Sequence, residues 1–314
     1  MSKKIISLAA GMAMIGGVAM SDTPKVAADI SPVHSLVSRV MLGVGTPDLI
    51  VQAGASPHGY TLRPSEAKAL QDAQMVFWMG ESLSPWMEGA LDTLSSDATI
   101  ITLLERDETI LMKFREGALF EEHDHDDHGD EKHDDHGDHE DHGSHDPHAW
   151  LSPDNARIWL NLIASQLSIV DPENAGTYFA NAAAARLEIE ALTIEVNSLL
   201  EPVRGKKFIV FHDAYQYFEK AFDLSASGAI SLGDASKPSP ARIAEIQGRI
   251  QEESIDCVLS EPQFNKGLVA TVMAGSKAKT SVIDPLGVGL KPGPDLYSEL
   301  IRNMTKTLVD CFES

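Results

Sequence analysis

Between Pro172 and Pro202 the chain reads PENAGTYFANAAAARLEIEALTIEVNSLLEP, with no proline inside the segment. Alanine, leucine and glutamate dominate it, and these are favourable helix residues. About 29 residues at 1.5 Å each make a rod of roughly 43 Å, longer than the ordinary helix of a globular domain. Pro202 stops it, because the residue before a proline is pushed out of the helical region. A rod of that length divides the 314-residue chain into two parts, and each part is long enough to bury a core of its own.

Both parts show the same alternation. In the first, VAADI, PDLIVQAG, AQMVFWMG and TIITLLE read as strands, while VHSLVSRVML and RPSEAKALQDA read as helices, the latter opened by Pro64. NARIWLNLIASQLSIV resumes a helical pattern before the rod. In the second, KKFIVF, GAISLG, SIDCVLS and KTSVIDP read as strands. DAYQYFEKAF, SPARIAEIQGRIQEE, KGLVATVMAGSKA and YSELIRNMTKTLVDCF read as helices. Strands alternating with helices build βαβ units on parallel sheets. The expected fold class is therefore α/β, with two similar lobes joined by one long rigid helix. The expected boundaries are 22–170 for the N-terminal lobe, 171–201 for the linking helix and 202–314 for the C-terminal lobe.

Residues 1–21 read as a secretory signal peptide. Lys3 and Lys4 form a basic start, Ile5 to Met20 an apolar run, and Ala19-Met20-Ser21 a cleavage site of small residues. The run is too short to span a bilayer comfortably, and no cysteine stands near the cleavage site to take a lipid, so a soluble periplasmic protein is expected. Cys257 and Cys311 are the only cysteines. In an exported chain an even pair reads as one disulfide, with two buried free thiols as the alternative.

The tract EEHDHDDHGDEKHDDHGDHEDHGSHD, residues 121–146, holds thirteen acids against one lysine, more than half of the formal charge of −22. It cannot bury a core and is read as an unstructured insert in the first lobe. The acidic balance argues against a nucleic-acid partner, which requires clustered Lys and Arg. Eight histidines, His123, His125, His128, His133, His136, His139, His142 and His145, alternate with carboxylates in the tract. Both groups ligate zinc, and their irregular spacing predicts several weak, exchangeable sites. The alternatives are a solvated insert without a role in metal handling and a sensor of abundant zinc.

Four phrases each place one ligand-type residue at or just after the C-terminal end of an expected strand. These are ASPHGY with His58, DPHAW with His148, VFHDAY with His212 and VIDPLG with Asp284. In open α/β sheets that end of the strand is where ligands bind. Two residues come from each half, so a shared site would lie in the cleft between lobes. Three neutral imidazoles and one carboxylate fill a tetrahedral shell for Zn²⁺. A filled shell leaves no position for an attacking water, and no HExxH motif is present, so a captured ion is expected rather than a zinc hydrolase. Taken singly, each histidine could be a satisfied core or surface residue, and Asp284 before Pro285 could simply open a turn.

The phrases GASPHGYTLRPSEAKAL, DPHAWLSP, KKFIVFHDAYQYFEKAF, PSPARIAEI, CVLSEPQF and DPLGVGL, with the charged tract and the closing YSEL helix, span nearly the whole mature chain. In these the chain resembles the ZnuA family, the zinc-binding proteins of bacterial high-affinity zinc-uptake ABC transporters. The resemblance implies two α/β lobes tied by a rigid helix and Zn²⁺ held by His58, His148, His212 and Asp284. It also implies a Cys257–Cys311 disulfide, and a membrane permease with its cytoplasmic ATPase as partner. A monomer without a lipid anchor is expected. Manganese-binding relatives of this wider group carry Glu at the position of His212, so the histidine favours zinc over a manganese carrier. A zinc buffer or adhesin uncoupled from any permease is the further alternative. Many zinc relatives have an acidic residue just before the position of His58. Ser56-Pro57 stands there instead, which removes one outer or substitute ligand.

Among the remaining residues, His34 in SPVHSLV is expected to pack or cap rather than bind metal. Trp78, Trp86 and Trp159 are expected in lobe cores, Trp150 beside the metal as a shield from water, and Glu81 near the cleft.

Overall fold

The computed structural model describes residues 23–115, 120, 145–231, 238–264 and 266–313. The expected signal peptide and seven of the eight tract histidines, from His123 to His142, lie outside these residues. In the first half β1 (Val26–Ala28), β2 (Asp48–Leu49), β3 (Met75–Trp78) and β4 (Thr99–Thr102) form a sheet in the order β2-β1-β3-β4, every pairing parallel. In the second, β5 (Phe208–His212), β6 (Ala229–Ser231), β7 (Cys257–Ser260) and β8 (Lys279–Val282) repeat the pattern as β6-β5-β7-β8, again parallel throughout.

Helices connect the strands: α1 (Ser31–Val40), α2 (Pro64–Asp72) and α3 (Pro85–Leu94) in the first half. In the second half these are α6 (Gln216–Phe222), α7 (Pro240–Glu252), α8 (Lys266–Val272) and α9 (Leu296–Glu313). Between the halves run α4 (Pro153–Val170) and the long α5 (Ala175–Leu200). The rod expected from Pro172 thus starts three residues later, since Pro172–Asn174 takes a tighter 3-10 turn, and Glu201–Val203 closes it with another. Helix α3 was not expected from the sequence, although Pro85 in the first turn after Ser84 is a start signal.

Side chains alternate across each sheet, as the two-residue strand period requires. Met75 and Phe77 of β3, with Phe208 and Val210 of β5, point into one core that continues through α4, α5 and α9 under both lobes. Val76 and Trp78 turn outward to a smaller cluster with Leu70, Met87 and Leu91, and Ile209 and Phe211 to another with Ile246, Ile250 and Val258. Helix α5 buries Tyr178, Ala182, Ala185, Ile189, Leu192, Val196 and Leu200, one face at three- and four-residue steps. A shared core of this kind makes the two lobes one packed body rather than two beads on a linker.

The C-terminal helix adds a second tie. The Tyr297 amide donates to Ser35 Oγ of α1 at 2.9 Å, and its hydroxyl donates to the Trp150 carbonyl at 3.0 Å. Cys257 on β7 and Cys311 on α9 form the disulfide, closing a loop with a sequence separation of 54. Among the described residues no helix is long and apolar enough to cross a membrane.

Candidate metal centre

In each sheet the connections leave the central pair of strands in opposite directions, which opens a crevice beyond their C-terminal ends. In the C-terminal lobe that pair is β5 and β7. Strand β5 ends on His212 itself, and Glu261 is the first residue after β7. Adjacent strands therefore deliver an imidazole and a carboxylate side by side. His212 Nδ1 lies 2.8 Å from Glu261 Oε1, with both side chains buried.

His148 arrives differently. It stands 46 residues after the end of β4, at the start of a 3-10 turn (Ala149–Leu151) that leads into α4. Its ring Nδ1 is 2.6 Å from Asp146 Oδ1, and its amide donates to the same oxygen at 2.9 Å. Burial would push the Asp146 carboxyl up, but attraction to His148 and the hydrogen bonds from His148 and Gln216 hold it below the ordinary carboxylate range. An imidazole that gives its Nδ1 proton to a carboxylate keeps Nε2 bare for a metal. The two Nε2 atoms of His148 and His212 converge to 3.2 Å. Two nitrogens held about 2.05 Å from one tetrahedral zinc would stand about 3.3 Å apart.

His58 completes the group from the loop between β2 and α2. The loop is pinned from α3: the Pro57 carbonyl accepts the Ser84 hydroxyl at 3.0 Å and the Trp86 indole N–H at 2.7 Å. Ligand atoms of His58, His148 and His212 all lie within 4.8 Å of one another, a group able to hold a metal ion. The ring centroid of His58 is 5.4 Å from that of His148 and 5.9 Å from that of His212. The space between them, lined also by Trp150, Glu261, Gln263, Pro285 and Leu286, encloses about 10 Å³. A space this small has room for an ion-sized guest.

Asp284 is not in this group. Its Oδ1 accepts the amides of Leu286 at 3.0 Å and Gly287 at 2.9 Å, and its Oδ2 the amide of Val288 at 2.5 Å. The carboxylate organises the turn whose next two residues, Pro285 and Leu286, line the cleft. Three of about four lone-pair sites are used, which leaves one on Oδ2.

The remaining expectations fall out as follows. His34 is buried in α1, where its Nε2 is 3.0 Å from the Pro47 carbonyl, and burial pushes its pKa below the usual value; it packs. Trp78 and Trp159 are core residues that donate to Thr102 and Thr109. Trp86 packs, half-buried, against the apolar clusters of the first lobe and also braces the His58 loop. Trp150 is buried 5.2 Å from the His148 ring and donates to the Pro285 carbonyl across the cleft at 2.9 Å. Glu81 is exposed and outside the group. His145, at the end of the charged tract, pairs by its backbone with Lys113, eight residues before the tract begins. The sequence reading missed Asp146 and Glu261. The signal for Glu261 was an acid directly after a strand of the half that also carries His212.

The segment that precedes the tract also reaches the other lobe. Arg115 bonds Asp213 and Glu219, neighbours of His212 on the opposite side. Burial would lower its pKa, but the two carboxylates outweigh that and raise it.

The chain matches the family described as "Zinc-uptake complex component A periplasmic" over residues 26–311. It is 48% identical over 303 residues to the high-affinity zinc uptake system protein ZnuA of Brucella abortus, covering 91% of each chain. It is 46% identical to that of Paracoccus denitrificans, covering 97% of this chain and 96% of the other. Among solved structures, a crystal structure of ZnuA aligns with a TM-score of 0.76 at 22% identity, covering 92% of this chain and 99% of that one. A manganese complex of a Pseudomonas aeruginosa solute-binding protein aligns with the same TM-score of 0.76 at 19% identity, covering 93% and 99%. At that distance the likeness is one of fold.

Proposed function

The chain belongs to the ZnuA family of periplasmic zinc-uptake components, and from that premise we propose that it captures one Zn²⁺ ion between its lobes and hands it to a membrane permease. The ion is cargo. His58, His148 and His212 supply three nitrogens, and Asp284 supplies the fourth donor through the remaining lone pair of Oδ2. The observation that carries the reading is the convergence of the His148 and His212 Nε2 atoms at 3.2 Å, each ring backed by a buried carboxylate, with a ligand atom of His58 within 4.8 Å. Nitrogen-dominated ligation favours zinc over manganese, which prefers oxygen. No catalysis enters the reading, because four protein donors leave no coordination position for water.

The chain acts in the periplasm as a soluble monomer in partnership with an ABC permease and its ATPase. The histidines of the charged tract form weak, exchangeable sites that raise the local zinc concentration near the cleft.

Zinc titration of the mature chain against H58A, H148A, H212A and D284A tests the site. Each variant is expected to lose more affinity than the roughly 10–100-fold that follows loss of an outer hydrogen bond. Three histidine variants that bind zinc as tightly as the wild type would overturn the proposal.

A further inference from the structure

The carboxylate that orients His148 is itself held from the opposite lobe. Asp146 is fully buried. Its Oδ1 serves His148, and its Oδ2 accepts Gln216 Nε2 at 2.6 Å. Gln216 is the first residue of α6, four positions after His212. The same Nε2 donates to the Lys113 carbonyl at 2.9 Å. The next residue, Tyr217, accepts the Met112 amide at 2.8 Å and donates its hydroxyl to the Asp146 carbonyl at 2.9 Å. The helix that follows one imidazole thus grips the support of another.

We propose that Gln216 is a positioning residue that couples contact between the lobes to the ability of His148 to hold zinc. The inference rests on the reading of His148 as a zinc ligand. With Gln216 in place, both Asp146 oxygens are engaged and the carboxylate plane is fixed, so the His148 ring is fixed with Nε2 toward the cleft. Hydrogen bonds weaken steeply beyond about 3.2 Å, so a lobe separation of roughly 1 Å removes the Gln216 donor. Asp146 then keeps only its Oδ1 contacts with His148, and the His148 ring is held less firmly before any ligand is displaced. Opening weakens zinc binding, and by reciprocity zinc binding favours the closed contact. Release is thereby linked to whatever draws the lobes apart at the permease.

The test uses the zinc-loaded mature chain, mixed rapidly with a chelator in excess, with wild type, Q216L and Q216M compared. Both variants keep the bulk of the side chain and lack the donor. Zinc is expected to leave each about tenfold faster, the lower end of the effect of losing an outer partner. The association rate should be unchanged, and the melting temperature of the zinc-free chain should stay within a few degrees of wild type. Wild-type release rates in a folded variant, whatever its melting temperature, would reduce Gln216 to a packing residue and overturn the inference. If Q216L does not fold, Q216M carries the same two outcomes. A wild-type chain that holds no zinc, or an H148A chain with unchanged release, would overturn the zinc-site reading instead.

Discussion

Replacing Glu261 with glutamine alters the metal centre without touching a ligand. Glu261 Oε1 accepts the His212 Nδ1 proton at 2.8 Å, and Oε2 accepts Gln263 Nε2 at 2.7 Å. The residue is almost fully buried, so water offers no substitute. Two donors converge on two acceptor oxygens, and glutamine has only one. If its amide nitrogen faces Gln263, the Gln263 amide must turn to offer its oxygen and His212 loses the charge behind it. If the nitrogen faces His212, the ring must shift its proton to Nε2, the atom that should meet the metal. One unsatisfied buried polar group costs about 1–3 kcal/mol, which corresponds to about 5–150-fold in affinity. Competition with a chelator of known affinity at constant pH should therefore show zinc binding weakened by one to two orders of magnitude. An E261Q affinity within twofold of wild type would refute the claim that this carboxylate sets the tautomer of His212.

Two further outcomes follow from the same structure. Burial raises the Asp29 carboxyl from its model-compound value of 3.8 to about 7, against the opposing hydrogen bonds from the amides of Met79 and Ile30. A group with a raised folded-state pKa contributes stability below its unfolded pKa and loses it as pH rises through the folded one. Urea unfolding of the zinc-free wild type should thus lose about 2–3 kcal/mol relative to D29N between pH 5 and pH 8, and a constant difference would contradict it. Deleting residues 121–144 leaves the Lys113–His145 pairing in place; tight binding of one zinc should persist while capture at limiting zinc slows, and unchanged uptake under zinc starvation would remove the tract from the account.

Much of the fold was legible because the signals were local. KKFIVF, SIDCVLS and AQMVFWMG are short apolar runs, and the alanine-rich segment after Pro172 has nothing in it to stop a helix. Strand β2 contracted to Asp48–Leu49, yet the chain keeps its course, since the Ile50 and Val51 amides still donate to Ala28 and Asp29. Helix α3 escaped notice because its ten residues, PWMEGALDTL, carry a central glycine and little periodic contrast. The site divides along the same line. His212 closes an apolar run and His58 and His148 stand in loops; each can be seen one at a time, and the three meet. The roles of Asp146, Glu261 and Gln216 depend on which strands and helices become neighbours. Glu261 faces His212 only because β7 pairs with β5, although about 45 residues and β6 intervene in the chain. Asp284 could likewise be singled out as a ligand-type residue, while its three amide partners depend on a turn that sequence alone does not specify.

The central claim is most directly tested by anomalous diffraction at the zinc edge from crystals of the zinc-loaded chain. The account predicts one dominant peak in the interlobe cleft, about 2.0–2.2 Å from a nitrogen of each of His58, His148 and His212 and from an Asp284 oxygen. A peak coordinated by the charged tract alone, with the cleft imidazoles free of metal, would contradict it.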